Sequence, residues 1–311
     1  MKKFIIYIVL FFLPLVIFLG GLEIGLRNIP NDYAYKNNWL EHNIQNVQIL
    51  SLGSSHGYLA IRPEYLDMPT FNAAHVSQSI KYDAFIFNKY IDRADSLRLL
   101  IWPMSYFSLL GNMEDEGEWW RAKGYCIYYD CPYHSWEIKY HSALFCTSYK
   151  TSIERVFGYV FSDYSDLNCD SLGWQVGNVK EHRTTGWYLN GKERADRHTK
   201  DLRLCQDNLR NNTRLVKEVI TQCASRNIKV LLLTTPTCYT YYENVNHAQL
   251  EIMQNFCDSM AYTYDNVSYL NMFTDSRFTE DDFFDADHLE AEGAIKFTKI
   301  LNDYISQKEL K

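Results

Sequence analysis

The sequence predicts an α/β fold, a mainly parallel sheet sandwiched between helices in three layers. Three observations lead there. Short apolar runs of strand length recur along the chain, as at residues 47–52, 97–102 and 228–233. Stretches with apolar residues at helical spacing follow them. The runs end at Gly53, at Pro103 and at Thr234-Thr235-Pro236, which cannot continue a central strand. Short buried strands alternating with helices are the signature of a parallel sheet.

The elements follow in order. Residues 47–52 form the first buried strand, and 69–74 a second short strand and turn. Residues 83–91 carry a helical apolar pattern, and 97–102 form the third strand. A helix is expected over 204–225, where Leu209, Leu215, Val216, Val219 and Ile220 make one face. Strand 228–233, helix 247–260 and strand 267–270 come next. A closing helix spans 291–306, with Ile295, Ile300, Leu301 and Ile305 toward the core. Residues 111–200 break this rhythm. They hold Trp119, Trp120, Trp136, Trp174 and Trp187 and read as an aromatic-rich insertion, either a small satellite core or a surface that stacks on sugars or meets a membrane.

Residues 4–22 carry no charge and would span about 27–30 Å as a helix, the thickness of a bilayer's hydrocarbon. Lys2 and Lys3 precede them, which keeps the N-terminus on the cytoplasmic side. The run exceeds a signal-peptide core, and Gly20-Gly21-Leu22-Glu23 is a poor cleavage site. Residues 1–27 therefore read as an uncleaved signal anchor, with a cleaved signal as the rival. Residues 28–45 read as a polar linker, and 46–311 as the main domain, placed outside the cytoplasm. Hydrophobic content of 47 % and charged content of 22 % fit a folded globule. A net charge of −7 with scattered Lys and Arg argues against nucleic-acid binding.

Eight cysteines show no Cys-x-x-Cys and no zinc-ligand spacing with histidines, so neither a metal site nor a cofactor is expected. Export permits disulfides, with Cys126, Cys131, Cys146 and Cys169 as the candidates. Cys223 and Cys238 fall in apolar patterns and read as core residues.

Ligands of parallel α/β sheets bind beyond the carboxyl ends of the strands. Gly53-Ser54-Ser55 follows the first strand, 72–79 the second, and Met104-Ser105-Tyr106 the third, so all three reach that edge. Near the C-terminus stands Asp285-Ala286-Asp287-His288. An Asp three residues before a His can fold back onto the imidazole and make it a general base. The candidate nucleophile is Ser55, which also suits an ordinary turn or N-cap serine, with Ser54 as the competing hydroxyl. A nucleophile at the start of a helix benefits from the positive end of the dipole, which stabilises developing negative charge. Asp287 is the fallback orienter. His56, Asn72, Gln78, Ser105 and Tyr106 lie beside the site in sequence and are candidate substrate contacts. His56 and His75 also suit a polar wall.

These blocks, in this order, resemble the SGNH (GDSL-like) hydrolase superfamily over about residues 45–110 and 200–308. The likeness is strongest to its membrane-anchored branch, which includes proteins of teichoic-acid D-alanylation and alginate O-acetylation. Gly53-Ser54-Ser55-His56 matches the first block, with Ser54 in place of Asp. Asp285 and His288 match the last block, and Leu289 and Gly293-Ala294 its continuation. Asn72-Ala73-Ala74-His75-Val76-Ser77-Gln78-Ser79 lies over the second block, with Ser77 where the oxyanion glycine stands. That replacement is acceptable if only the backbone N–H is used and φ stays negative. The third block's Gly-x-Asn is absent; Trp102-Pro103-Met104-Ser105 stands there, with Asn112 or Ser105 as the substitutes at hand.

The resemblance implies a Ser55–His288–Asp285 triad, with backbone N–H groups of Ser55 and Ser77 receiving the oxyanion. It implies an anchored extracytoplasmic esterase or O-acyltransferase, favouring acetyl, acting on a cell-envelope polysaccharide or glycolipid. A membrane-bound O-acyltransferase is the partner it suggests. Hydrolysis and transfer share their first half-reaction. Two rivals stand beside this: a catalytically silent subunit of an envelope-polysaccharide assembly, and a carbohydrate-binding component carried by the aromatic insertion.

Overall fold

A computed structural model of the chain describes residues 1–310. The helices are α1 (Lys2–Asn28), α2 (Asp32–Asn43), α3 (Ser55–Ala60), α4 (Ile80–Tyr90), α5 (Ala122–Tyr128), α6 (Tyr149–Ser162), α7 (Gly191–His198), α8 (Gln206–Ser225), α9 (Tyr239–Tyr242), α10 (His247–Thr263) and α11 (Ala291–Gln307). The strands are β1 (Ile49–Ser51), β2 (Thr70–Asn72), β3 (Leu99–Pro103), β4 (Lys229–Thr234), β5 (Val267–Asn271), β6 (Phe283–Asp285) and β7 (His288–Leu289). The expected linker over 28–45 is instead helical through most of its length, as α1 runs to Asn28 and α2 begins at Asp32. Polar composition marks a solvated helix face as readily as a loop.

The chain divides into two compact units: residues 1–37 with 119–167, and residues 38–118 with everything from 168 onward. The insertion expected at 111–200 is thus itself divided. Its central part shares an apolar cluster with the end of α1, in which Leu26, Ile29 and Ala143 are buried and Val156 and Tyr159 pack against them. A Cβ on Gly25 would lie 2.8 Å from a Val156 methyl, so glycine lets α6 approach α1. Glu23 accepts bonds from Ser142 Oγ (2.8 Å) and the N–H groups of Ala143 (3.0 Å) and Leu144 (3.1 Å). The remainder of α1 is apolar and exposed from Phe4 to Phe18. By length and composition it is one helix able to cross a membrane. Cys146, expected to pair, carries a free thiol that donates to the Lys139 carbonyl at 3.4 Å. Cys223 and Cys238 are core residues, as their apolar context predicts.

The second unit is a five-stranded, all-parallel sheet in the order β2-β1-β3-β4-β5. Parallel strands are covered on both faces, so they read as near-continuous apolar runs. Ile49, Leu99, Ile101, Leu231 and Leu233 point to one side and share a core with Phe297, Leu301 and Ile305 of α11 and Ala60 of α3. The alternate residues Leu50, Leu100, Val230 and Leu232 point to the other side, where α8 packs on α4. Trp174, read as part of the aromatic insertion, is a core residue of this unit whose Nε1–H donates to the Leu59 carbonyl at 2.7 Å. At Gly173 φ is +87°, and a Cβ would stand 2.2 Å from the Asn72 carbonyl oxygen, so only glycine fits against the end of β2.

Strand order reverses between β1 and β3, the topological switch point where ligands of open α/β sheets bind. Gly53-Ser54-Ser55 leaves β1 there, and Met104-Ser105 leaves β3. β6 and β7 form a separate antiparallel ribbon that carries Asp285 and His288.

Candidate active site

Ser55 and His288, far apart in sequence, meet at the edge where β1 ends. Ser55 Oγ lies 2.8 Å from His288 Nε2. On the other side of the ring, Nδ1 is 3.0 Å from each oxygen of Asp285. The Asp285 carboxylate is fixed by the turn it begins: its Oδ1 accepts the backbone N–H of His288 (3.0 Å) and of Asp287 (3.2 Å). Nδ1–H directed at Asp285 leaves Nε2 free to accept from Ser55. Burial disfavours the His288 imidazolium, but the charges of Asp285 and Asp287 outweigh it and hold its pKa above the usual imidazole range.

The turn carrying Ser55 is pinned from below. Gly53 has φ +108°, and its N–H donates to Asp83 Oδ1 at 2.7 Å. The same carboxyl receives Gln78 Nε2–H (2.6 Å) and Trp102 Nε1–H (3.0 Å). Burial pushes Asp83 up to about 6 despite these three donors. It therefore ties β3, α4 and the turns after β1 and β2 into one frame. Asp83→Ala would orphan three buried donors at about 1–3 kcal/mol each. The expected result is a loss of at least about 3 kcal/mol in denaturant unfolding, with reactivity at Ser55 falling in parallel. Asp83→Asn, which retains one acceptor, should lose less.

The residues expected near the site divide sharply. Asn72 is fully buried, and its amide donates to the carbonyls of Gly57 (3.0 Å) and Ile61 (2.9 Å), so it braces α3 and offers nothing to a substrate. Tyr106 is likewise internal, with its hydroxyl bonded to Thr199 Oγ1 (2.8 Å) and the Asn246 N–H (2.8 Å). His56 and Ser105 are buried and bonded to each other at 3.0 Å. His75 is buried and does not line the cavity. Of the five candidate contacts only Gln78 lines the cavity beside Ser55, and its amide is committed to Asp83. Asp287 stands 3.8 Å from His288 Nδ1, farther than Asp285, and is engaged elsewhere.

That cavity holds about 70 Å³ and is lined by Ser55, Ser77, Phe107, Asn112, Glu116 and His198 among others. Ser77 does not keep the negative φ expected of it; its φ is +58°. A left-handed serine reproduces the backbone that a glycine would adopt at this turn. Among the described residues, the backbone N–H groups of Ser55 and Ser77 donate to no protein acceptor. Neither proposed substitute fills the place of the missing third-block amide. Ser105 Oγ is bonded to His56, and the Asn112 amide N–H₂ is 3.2 Å from Asp115 while its Oδ1 is buried without a partner.

Sequence reasoning missed Arg194 and His198 of α7. Arg194 Nε–H is bonded to Asp287 Oδ1, and Nη1 lies 3.4 Å from Asp285 Oδ2. Nη2 is 3.1 Å from His288 Nδ1, a contact between two donors once Nδ1–H points at Asp285. Burial opposes the guanidinium charge, but Asp287 and Asp285 hold it firmly protonated. His198 is bonded through Nδ1 to Tyr241 OH at 2.8 Å, and burial pushes its pKa down to about 3. His56, Asp287 and His288 have ligand-type atoms within 4.8 Å of one another. The guanidinium seated on the same carboxylate makes that cluster a charge network, since a cation there would face Arg194.

No family model matches the chain, and no curated protein matches it. Among solved structures it is similar to a Bacteroides fragilis protein provisionally described as an acylhydrolase, at 10 % identity over 88 % of this chain and 96 % of that one, with a TM-score of 0.41. It is similar to a protein of Streptococcus pneumonia provisionally described as a platelet activating factor, at 12 % identity over 96 % and 99 %, TM-score 0.42. It is also similar to a GDSL-like lipase from Bacteroides thetaiotaomicron, at 6 % identity over 89 % and 99 %, TM-score 0.42.

Proposed function

We propose that the protein is an SGNH-type serine esterase or O-acyltransferase. The observation that carries this is the unbroken contact from Ser55 Oγ through His288 to Asp285, with unengaged N–H groups of Ser55 and Ser77 at the same cavity. Ser55 Oγ attacks an ester carbonyl and forms the new C–O bond while His288 Nε2 takes its proton. Asp285 fixes the tautomer and stabilises the imidazolium. The two N–H groups receive the developing oxyanion. His288 then returns the proton to the leaving alcohol, and the acyl group passes to water or to a second hydroxyl. The small cavity suits a short acyl group such as acetyl.

The apolar run of α1 and the Lys2 and Lys3 that open the helix support a membrane anchor with the site on the extracytoplasmic side. That location makes a cell-envelope polysaccharide or glycolipid ester the natural substrate, and a membrane-bound O-acyltransferase a natural partner. The purified full chain in detergent is expected to release acetate from an O-acetylated polysaccharide, or to move acetyl onto an added glycan, and Ser55→Ala to do neither. If wild type and variant are equally inert toward acetyl esters of every acceptor type, the reading is wrong. One observation favours a silent subunit instead: of the two substitutes for the third-block Asn, the Asn112 amide N–H₂ is turned to Asp115 and Ser105 Oγ is bonded to His56. A missing donor of that kind lowers rate by ~10²–10³, which slows a triad without abolishing it.

A further inference from the structure

Beside the Ser55–His288–Asp285 chain runs a second one of the same composition. Ser105 Oγ is 3.0 Å from His56 Nδ1, and His56 Nε2 is 3.1 Å from Asp287 Oδ2. Ser105 is 3 % exposed, and neither it nor His56 lines the cavity, so this second array offers no nucleophile to a substrate. Its polarity follows from charge. Arg194 Nε–H is bonded to Asp287 and His198 lies 3.7 Å from it. Burial alone would raise the Asp287 carboxyl, but its neighbours hold it well below the usual carboxylate range. An ionised Asp287 requires His56 Nε2 to carry the proton, which leaves Nδ1 to accept from the Ser105 hydroxyl. The array therefore terminates on Asp287, whose other oxygen is 3.8 Å from His288 Nδ1.

We propose that Asp287 is a positioning residue, a second carboxylate clamped by His56 and Arg194 that together with Arg194 sets the electrostatic environment of His288. The inference rests on the hydrolytic reading of Ser55 and His288.

The groups facing His288 are Asp285 from β6, Asp287 from the β6–β7 turn, Arg194 from α7 and His56 from α3, whose ring centroid is 5.3 Å away. His198, at the end of α7, is uncharged, and Tyr241 of α9 meets it through a neutral hydroxyl. Two negative charges and one positive charge thus act on the imidazole. Asp287 favours the imidazolium that forms when Ser55 gives up its proton, and Arg194 opposes it. The signs of two substitutions follow. A base must be neutral to act, so activity rises as pH passes through the pKa of His288. Asp287→Asn removes a negative neighbour, lowers that pKa and moves the acid limb to lower pH. Arg194→Met removes a positive neighbour and moves the limb to higher pH. A purely structural role for the clamp would lower stability or amplitude without shifts of opposite sign.

The test measures the second-order rate of inactivation by a fluorophosphonate across pH, for the full chain in detergent, with the His288 imidazole titration followed by NMR as a readout independent of activity. The expected outcome is an acid limb and imidazole titration displaced downward in Asp287→Asn and upward in Arg194→Met. Titrations that stay in place, or move in the same direction in both variants, overturn the proposal. If wild type fails to react with the probe, the hydrolytic reading falls, and the imidazole titration still decides the role of Asp287. If one variant does not fold, the sign of the other's titration decides it.

Discussion

Replacing Ser55 by alanine is expected to remove ester cleavage almost entirely, a loss of ~10⁴–10⁶ in kcat, while leaving the fold intact. The size follows from the geometry. Ser55 Oγ is the only hydroxyl in contact with His288 Nε2 among the described residues, and His288 in turn rests on Asp285. The neighbouring Ser54 does not stand in for it: its Oγ is turned to Ser105 Oγ, 3.4 Å away, while Ser55 Oγ holds His288 Nε2. Because Ser55 sits at the first position of α3, the smaller side chain leaves the intrahelical bonds unchanged. Unfolding of Ser55→Ala should match wild type within about 0.5 kcal/mol. Steady-state hydrolysis of a p-nitrophenyl acetate type of ester checks the first point, and chemical denaturation the second.

Asp285→Asn is expected to be nearly as severe, a loss of ~10⁴ in kcat with little change in substrate affinity. The carboxylate accepts from His288 Nδ1–H and from the backbone N–H groups of Asp287 and His288. An amide keeps the carbonyl acceptor for the backbone, so the turn survives. Its NH₂ facing Nδ1 would favour the tautomer with the proton on Nε2, which then points at Ser55 and cannot take its proton. Asp287 does not rescue the variant, because His56 and Arg194 already hold it and it stands 3.8 Å from the ring nitrogen. Comparing the kcat and KM of Asp285→Asn with wild type tests this. A loss confined to KM would contradict it.

How much of this was legible in the sequence depends on the range of the interaction. The strands were readable because a parallel strand buried on both faces is a bare apolar run, ended here by Gly53 or Pro103. The Asp285–His288 pair was readable because its geometry is local, with three residues and one turn deciding it. The place of Gly53-Ser54-Ser55 was readable through topology, since whatever follows the first strand reaches the same rim as whatever follows the third. The direction of side chains at that rim was not readable. Asn72, Ser105 and Tyr106 lie at the right edge, yet each turns inward to satisfy buried backbone or side-chain groups. Asp83 resembles an ordinary acidic residue in the first turn of α4; nothing local shows that Gly53, Gln78 and Trp102 converge on it. Arg194 and His198 lie in a stretch with neither strand nor clean helical periodicity, and their partners are about 90 residues away in the cases of Asp287 and His288. Only charge complementarity with a paired-Asp turn hints at such an arginine. The polar stretch 28–45 gave no apolar stripe to betray its helices.

Ester cleavage by this site requires Ser55 to be an activated nucleophile. The most direct measurement is intact-mass and peptide mapping of the full-length protein after exposure to a fluorophosphonate at neutral pH. The geometry predicts a single adduct, on Ser55, that is lost in His288→Ala and after denaturation. An unmodified wild-type protein, or an adduct on Ser54 or any other hydroxyl, would contradict it.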